Sequence, residues 1–183
     1  MWKYDALDAT QLELLKHGII DLGGDVDEDM VRYVREALIR LTAQGSPQVE
    51  VMITSGGGSV KVGLDIYDAL RYYVGKKAGI VHGFAQSMAA LILQACDHRR
   101  CLRHAFLLIH HVAEERVSLD VLRDDEKLRR LREDLEESQS RLYKILSTRT
   151  RKSVDEIGVA CSQEKEMTAE QALAFGLIDE IVD

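Results

Sequence analysis

Proline, tryptophan and cysteine are scarce in this chain of 183 residues. Pro47 is the one proline, and glycine and serine form no low-complexity run, so the sequence marks no linker and predicts a single domain over residues 1–183. The three cysteines are odd in number and include no C-x-x-C pair, which argues against a disulfide framework or a zinc site. Free cysteines of this kind favour a reducing compartment, and we expect a cytoplasmic protein.

Long apolar runs and an excess of positive charge are also missing. No apolar segment approaches the roughly 20 residues that a membrane-spanning helix needs, and the start of the chain lacks the apolar core of a secretory signal. The formal net charge is −7, which disfavours nucleic acids and anionic membranes as partners. We therefore expect a soluble protein that binds neither.

Short apolar segments alternate with amphipathic helical patterns through the first 110 residues. Strands are predicted at residues 18–22, 49–53, 79–84 and 106–109. Apolar residues recur at spacings of three and four from Met30 to Leu41 and from Leu64 to Val74, as in helices with one buried face. The basic segments around His98 and His104 are interpreted as turns. Such alternation is typical of an α/β fold with parallel strands, in which ligand sites form where the strands end.

The last third of the chain contains a long helical pattern and a short one. From about Val117 to Thr150 the chain is highly charged, and a series of residues within it is spaced alternately three and four apart: Leu128, Leu131, Leu135, Ser138, Leu142 and Ile145. This spacing predicts a long helix with a narrow apolar seam. The seam is interpreted as an oligomer contact, with packing along its own domain as the alternative. Thr168 and Gln171 form a capping-box signature for a last helix that ends at Gly176, and the apolar pairs within residues 177–182 suggest a final strand.

Ser87 stands between the third predicted strand and the helical stretch MAALILQAC. A hydroxyl at such a corner lies at the positive end of the helix dipole. It also lies beside the first backbone N–H groups of the helix, which donate no hydrogen bond to a carbonyl within the helix. Those groups could stabilise a negative oxygen, and Ser87 could then act as a nucleophile. The alternative is that Ser87 only caps the helix, as serine often does.

Acyl transfer by a serine also needs a base and a second N–H donor. The backbone N–H of Met88 is one donor, and the glycine run 56–58 is the natural source of another, although an ordinary turn is its alternative. Among six histidines, His110 and His111 end a strand, where a base has to lie. Adjacent strand residues face opposite sides, so only one of the two readily points at Ser87. Any of the 31 acidic residues could orient that base on spacing alone.

Five segments, taken together and in order, are similar to the proteolytic subunit of the Clp protease. They span nearly the whole chain from about Leu14 to Val182: LLKHGIIDLGGDV, ITSGGGSVKVGLDIYDAL, GFAQSMAA, FLLIHH and MTAEQALAFGLIDEIV. The resemblance implies the fold of that family, a repeated β-β-α superhelix of the kind shared with crotonases. That fold has a parallel sheet and a long protruding helix.

The resemblance also selects among the candidate residues. The family's serine lies in G-x-A-x-S-M and its histidine in I-H, so the matching segments imply Ser87 as nucleophile and His110 as base. After this histidine the family continues with Gln-Pro and a glycine-rich strand, whereas this chain continues His111-Val112-Ala113.

Three further roles are implied by the same resemblance. The backbone N–H groups of Gly58 and Met88 are implied as the oxyanion donors. The family's third residue is an aspartate shortly before S/T-A-x-x-A. Counting back from Thr168, this chain has Glu164 at that place.

The resemblance implies a serine endopeptidase that hydrolyses peptides or unfolded proteins inside an oligomeric chamber, without a metal or an organic cofactor. A homo-oligomer is expected, with rings of seven as the family default, and an AAA+ ATPase is a candidate partner. Two alternatives stay open. One is a non-catalytic subunit of the same fold, which the glutamate in place of aspartate keeps open. The other is a crotonase-type acyl-CoA enzyme, since that architecture also has a glycine-lined oxyanion hole.

Overall fold

Strands and helices alternate along the computed structural model, which describes residues 7–114 and 116–183. The strands in these residues are β1 (Ile19–Val26), β2 (Val49–Gly58), β3 (Lys77–Gln86), β4 (His98–Leu102), β5 (Phe106–Leu108), β6 (Met167–Thr168) and β7 (Glu180–Val182). The helices are α1 (Ala9–Lys16), α2 (Glu28–Ala43), α3 (Val60–Tyr72), α4 (Met88–Leu93), α5 (Leu119–Arg123), α6 (Asp125–Thr150), α7 (Val154–Ser162) and α8 (Ala169–Phe175).

The strands form one sheet that is parallel except at the pair of β5 with β6. Within the described residues the order is β1-β2-β3-β4-β7, and β5 pairs with the last part of β3. A mixed α/β fold with a mainly parallel sheet is therefore confirmed.

The strand β3 has two different neighbours along one edge. Its first half pairs with β4 over residues 78–81, and its last three residues pair with β5. Both pairings are parallel, so β4 and β5 follow each other along the same side of β3. This arrangement brings the end of β5 to the end of β3, where Ser87 begins the next turn.

The core lies between the sheet and the helices that follow its strands. In β2, Val49, Val51 and Ile53 alternate with less buried residues and are almost completely buried, as the period of a strand requires. The helices α2 and α3 each bury one face at the predicted spacing, whereas all six residues of α4 are buried. The α4 helix is thus an interior element, which fixes the turn that precedes it.

The strand β4 corrects one interpretation of the sequence. A turn is expected around His98 because the segment is basic, but residues 98–102 form a strand between β3 and β7. Its two arginines form ion pairs: Arg99 with Asp179, and Arg100 with Glu50. A basic segment lies inside the sheet here because acidic partners neutralise both guanidinium groups.

The long helical pattern forms two helices rather than one. The helix is interrupted at Asp124. The carboxylate of this residue accepts hydrogen bonds from two backbone N–H groups and caps α6. Toward the end of α6, Leu142 and Leu146 are buried against their own domain, while Leu128 and Leu131 nearer its start are only half-buried. The end of the seam therefore packs on its own chain, and an oligomer contact at its start stays a prediction.

The last elements lie close to their predicted places. The capping box of Thr168 and Gln171 has both of its hydrogen bonds, and Gly176 ends α8 with a φ of +93°. The final strand is shorter than expected, because residues 177–178 belong to the buried loop before it. No helix in the described residues is long and apolar enough to cross a membrane. A single domain over residues 1–183 stays a prediction, and residues 1–6 and 115 lie outside the described part.

Candidate active site

The ends of β3 and β5 place Ser87 beside the segment that carries His110. Gln86 pairs with Leu108 in the parallel ladder, and the backbone N–H of Ser87 donates to the Leu108 carbonyl at 2.8 Å. His110 follows Leu108 by two residues, and both Ser87 and His110 are half-buried. The main chain thus fixes the candidate nucleophile against the strand end from which the candidate base projects.

Ser87 occupies an unusual backbone conformation. Its φ is 53° and its ψ is −124°, a region that costs a residue with a Cβ about 1–3 kcal/mol and that is common at functional turns. The side chain of Ser87 makes no capping hydrogen bond within the described residues, so plain helix capping does not describe it. Burial of α4 holds the strained turn in place.

The glycine run of β2 lies directly against this turn. Gly57 has a φ of +95°, and a Cβ placed on it would lie 2.6 Å from the Ser87 Cβ and 3.0 Å from the Met88 nitrogen. Only a residue without a side chain permits this approach. The carbonyl of Val26, on the strand β1, accepts a hydrogen bond from the N–H of Ser59 at 2.9 Å. The N–H of Gly58 takes no part in that hydrogen bond. The glycine run is therefore not an ordinary surface turn.

A cleft of about 1600 Å³ separates this sheet edge from α6. Four of the predicted site residues line it: Gly58, Ser87, Met88 and His110. The opposite wall consists of α6 side chains, among them Leu135, Leu142 and Tyr143.

Glu164 lies apart from these four residues. It is exposed, has a φ of +45° in the turn after α7, and is not among the residues that line the cleft. Two residues further on, Glu166 accepts a hydrogen bond from the Gln86 side chain at 3.3 Å, which ties this turn to the residue before Ser87. The orienting role of Glu164 stays a prediction.

Acidic residues that the sequence did not single out do line the cleft: Asp25, Asp65, Asp68, Glu114 and Asp134. Asp65 forms an ion pair with Arg35 at 3.2 Å. No local motif marks these carboxylates, because they come from loops and helices that only the fold brings together.

A comparison with known families identifies the class of protein. A family model described as Clp protease matches residues 3–183. This chain belongs to the Clp protease family. Membership covers essentially the whole chain and confirms the resemblance that the sequence motifs indicate. A peptidase of the Clp type is thus the general class.

Proposed function

We propose that this member of the Clp protease family is a serine endopeptidase with Ser87 as its nucleophile and His110 as its general base. One observation carries the proposal: the Ser87 N–H is bonded to Leu108, two residues before His110, while the glycine run contacts the same turn from the other side. Nucleophile, base and oxyanion donors need this convergence.

In the proposed reaction, the Ser87 oxygen attacks the carbonyl carbon of a peptide bond while His110 takes the hydroxyl proton. The N–H groups of Gly58 and Met88 donate to the oxyanion of the tetrahedral intermediate. When the C–N bond breaks, His110 returns the proton to the leaving amine and an ester with Ser87 remains. A water molecule activated by His110 then hydrolyses the ester and restores the serine.

Glu164 is the proposed third member of the triad. A carboxylate bonded to Nδ1 of His110 would hold the ring in the tautomer that accepts the serine proton. In the structure Glu164 is exposed and is not among the residues that line the cleft. This assignment is therefore independent of the roles proposed for Ser87 and His110.

The proposed enzyme works as a cytoplasmic homo-oligomer, with rings of seven as the expected state. The half-buried leucines at the start of α6 support a contact between subunits, because a narrow apolar seam is normally packed. Peptides or unfolded proteins would be its substrates, and an AAA+ ATPase would be the candidate partner that delivers them. Native mass spectrometry is expected to give a multiple of seven chain masses, and a monomer would contradict the chamber.

A fluorophosphonate probe tests the chemistry directly, since it phosphonylates an activated serine. We expect labelling of the natural chain and none of Ser87→Ala. We also expect His110→Ala to remove labelling. No labelling of a correctly assembled natural chain would instead support a non-catalytic subunit or an acyl-CoA enzyme of the crotonase type.

A further inference from the structure

The segment that carries His110 has no regular structure of its own. β5 ends at Leu108, and residues 109–114 belong to neither a helix nor a strand. Ile109 is buried in the core and holds the segment on one side of His110. The position of the base therefore depends on what holds the chain on its other side.

Two side chains of α6 provide that second attachment. The Val112 N–H donates to the Gln139 Oε1 at 2.7 Å, and the Tyr143 hydroxyl is hydrogen-bonded to the His111 Nδ1 at 2.7 Å. Gln139 and Tyr143 are four residues apart, so they lie on the same face of the helix. Each contacts one of the two residues that follow His110.

The chemistry of both groups suits a fixed attachment. Burial, and then the neighbouring Cys161, raise the pKa of Tyr143 to about 12, so the hydroxyl stays protonated at neutral pH. The Gln139 Nε2 is buried and has no hydrogen-bond partner within the described residues. A half-satisfied buried amide is unfavourable for stability, so stability alone does not explain a glutamine here.

We propose that Gln139 and Tyr143 are positioning residues for the catalytic base: they hold residues 111–112 against α6 and thereby keep His110 within reach of Ser87. The inference rests on the proposed peptidase function.

The test measures the labelling of Ser87 by a fluorophosphonate at several probe concentrations. Tyr143→Phe and Gln139→Leu are expected to lower the maximal labelling rate roughly 10- to 100-fold, since misplacing a catalytic group by about 1 Å has effects of that size. The probe concentration for half-maximal rate is expected to stay the same, because neither residue binds the probe. Tyr72→Phe is the matched control: it removes the same hydroxyl from a side chain that is 90% exposed.

A double-mutant cycle separates positioning from a general effect on folding. If the Tyr143 hydroxyl acts through the His111 ring, then Tyr143→Phe has no further effect in a His111→Ala background. Independent, multiplicative losses would overturn the inference, and so would unchanged maximal rates in both single variants while the natural chain is labelled. A natural chain that is not labelled would overturn the peptidase proposal itself, and the inference with it.

Discussion

Gly57 combines a left-handed backbone with a close approach to the turn at Ser87, and substitutions at two glycines can separate these two properties. Gly24 has a similar φ of +91°, but a Cβ placed there has no neighbour within 4 Å. We expect Gly57→Ala and Gly24→Ala each to lose about 1–2 kcal/mol of unfolding free energy from the backbone alone. Only Gly57→Ala should also push Ser87 away and abolish probe labelling. Urea unfolding and labelling rates check both expectations, and equal labelling of the two variants would contradict the contact.

Glu164 is tested by removing its charge without changing its shape. If this carboxylate orients His110, we expect Glu164→Gln to lower the peptide hydrolysis rate by a factor on the order of 10⁴, as the loss of the acid does in other serine triads. Glu170→Gln is the control, since Glu170 is also exposed and lies on α8. A negligible effect of Glu164→Gln would move the search to the acidic residues that line the cleft.

Among the elements, α3 and α4 pack so closely that a single glycine sets their distance. A Cβ on Gly63 would lie 2.4 Å from the Cε of Met88 and 3.2 Å from its Cβ. Gly158, inside α7, is the matched control, because a Cβ there makes only an ordinary contact of 3.6 Å with Tyr143.

We therefore expect opposite effects from the same substitution in these two helices. Gly158→Ala should gain about 0.5–1 kcal/mol from helix propensity, whereas in Gly63→Ala overpacking of about 1–3 kcal/mol outweighs that gain. Gly63→Ala should also slow probe labelling, since Met88 supplies a proposed oxyanion donor. Denaturant unfolding and labelling rates measure both effects. A Gly63→Ala variant that is as stable and as reactive as Gly158→Ala would show that α3 and α4 move apart at little cost in free energy.

The sequence predicts the helices and strands in which apolar residues follow a regular pattern. It misses the elements that depend on side-chain partners distant in sequence. The strand β2 and the helices α2 and α3 follow from spacing, because each buries one apolar face, whereas β3 follows from its apolar run. The strand β4 does not, since its arginines are neutralised by residues distant in sequence. The break at Asp124 is not predicted, because it depends on a side-chain cap that no apolar period marks.

The same distinction applies to the site. Ser87 and the pair His110 and His111 are recognisable as candidates because they follow apolar strands, and parallel strands end at one edge of a sheet. Only the family resemblance selects His110 from that pair. The strain at Ser87 and the contact with Gly57 could not be read from residue types, because they depend on backbone angles. The place of Glu164 depends on how a short turn folds, and no periodicity describes a turn.

For the molecule as a whole, the Arg99–Asp179 pair joins β4 to the last segment of the chain. Arg99 is buried, and Asp179 accepts hydrogen bonds from its side-chain Nε at 3.0 Å and its backbone N–H at 2.8 Å. Burial alone would raise the pKa of Asp179, but the hydrogen bonds and charge of Arg99 outweigh it and lower the pKa below its ordinary value. Because the pKa of Asp179 is lower in the folded protein than in the unfolded chain, the pair stabilises the protein above about pH 4. This contribution is lost as the pH falls below that value and Asp179 becomes protonated.

We therefore expect Asp179→Asn to destabilise the protein by about 2 kcal/mol at neutral pH, since a charged hydrogen-bond acceptor of Arg99 is lost. The difference from the natural chain should shrink below about pH 4, where Asp179 also becomes neutral. Unfolding curves at several pH values measure it. Asp183→Asn is the control, because Asp183 pairs with Arg103 at the exposed end of the chain and should change little. If the difference in unfolding free energy between Asp179→Asn and the natural chain stays constant down to acidic pH, the stability of the ion pair does not depend on the ionisation of Asp179, and the prediction is wrong.

The strained turn at residue 87 has a practical consequence for engineering. Glycine tolerates a φ of 53° with a ψ of −124° far better than serine does, so Ser87→Gly is expected to melt at a higher temperature while losing the proposed nucleophile. Heat tolerance and turnover thus oppose each other at this one position. A thermostability screen without an activity assay would select an inert protein.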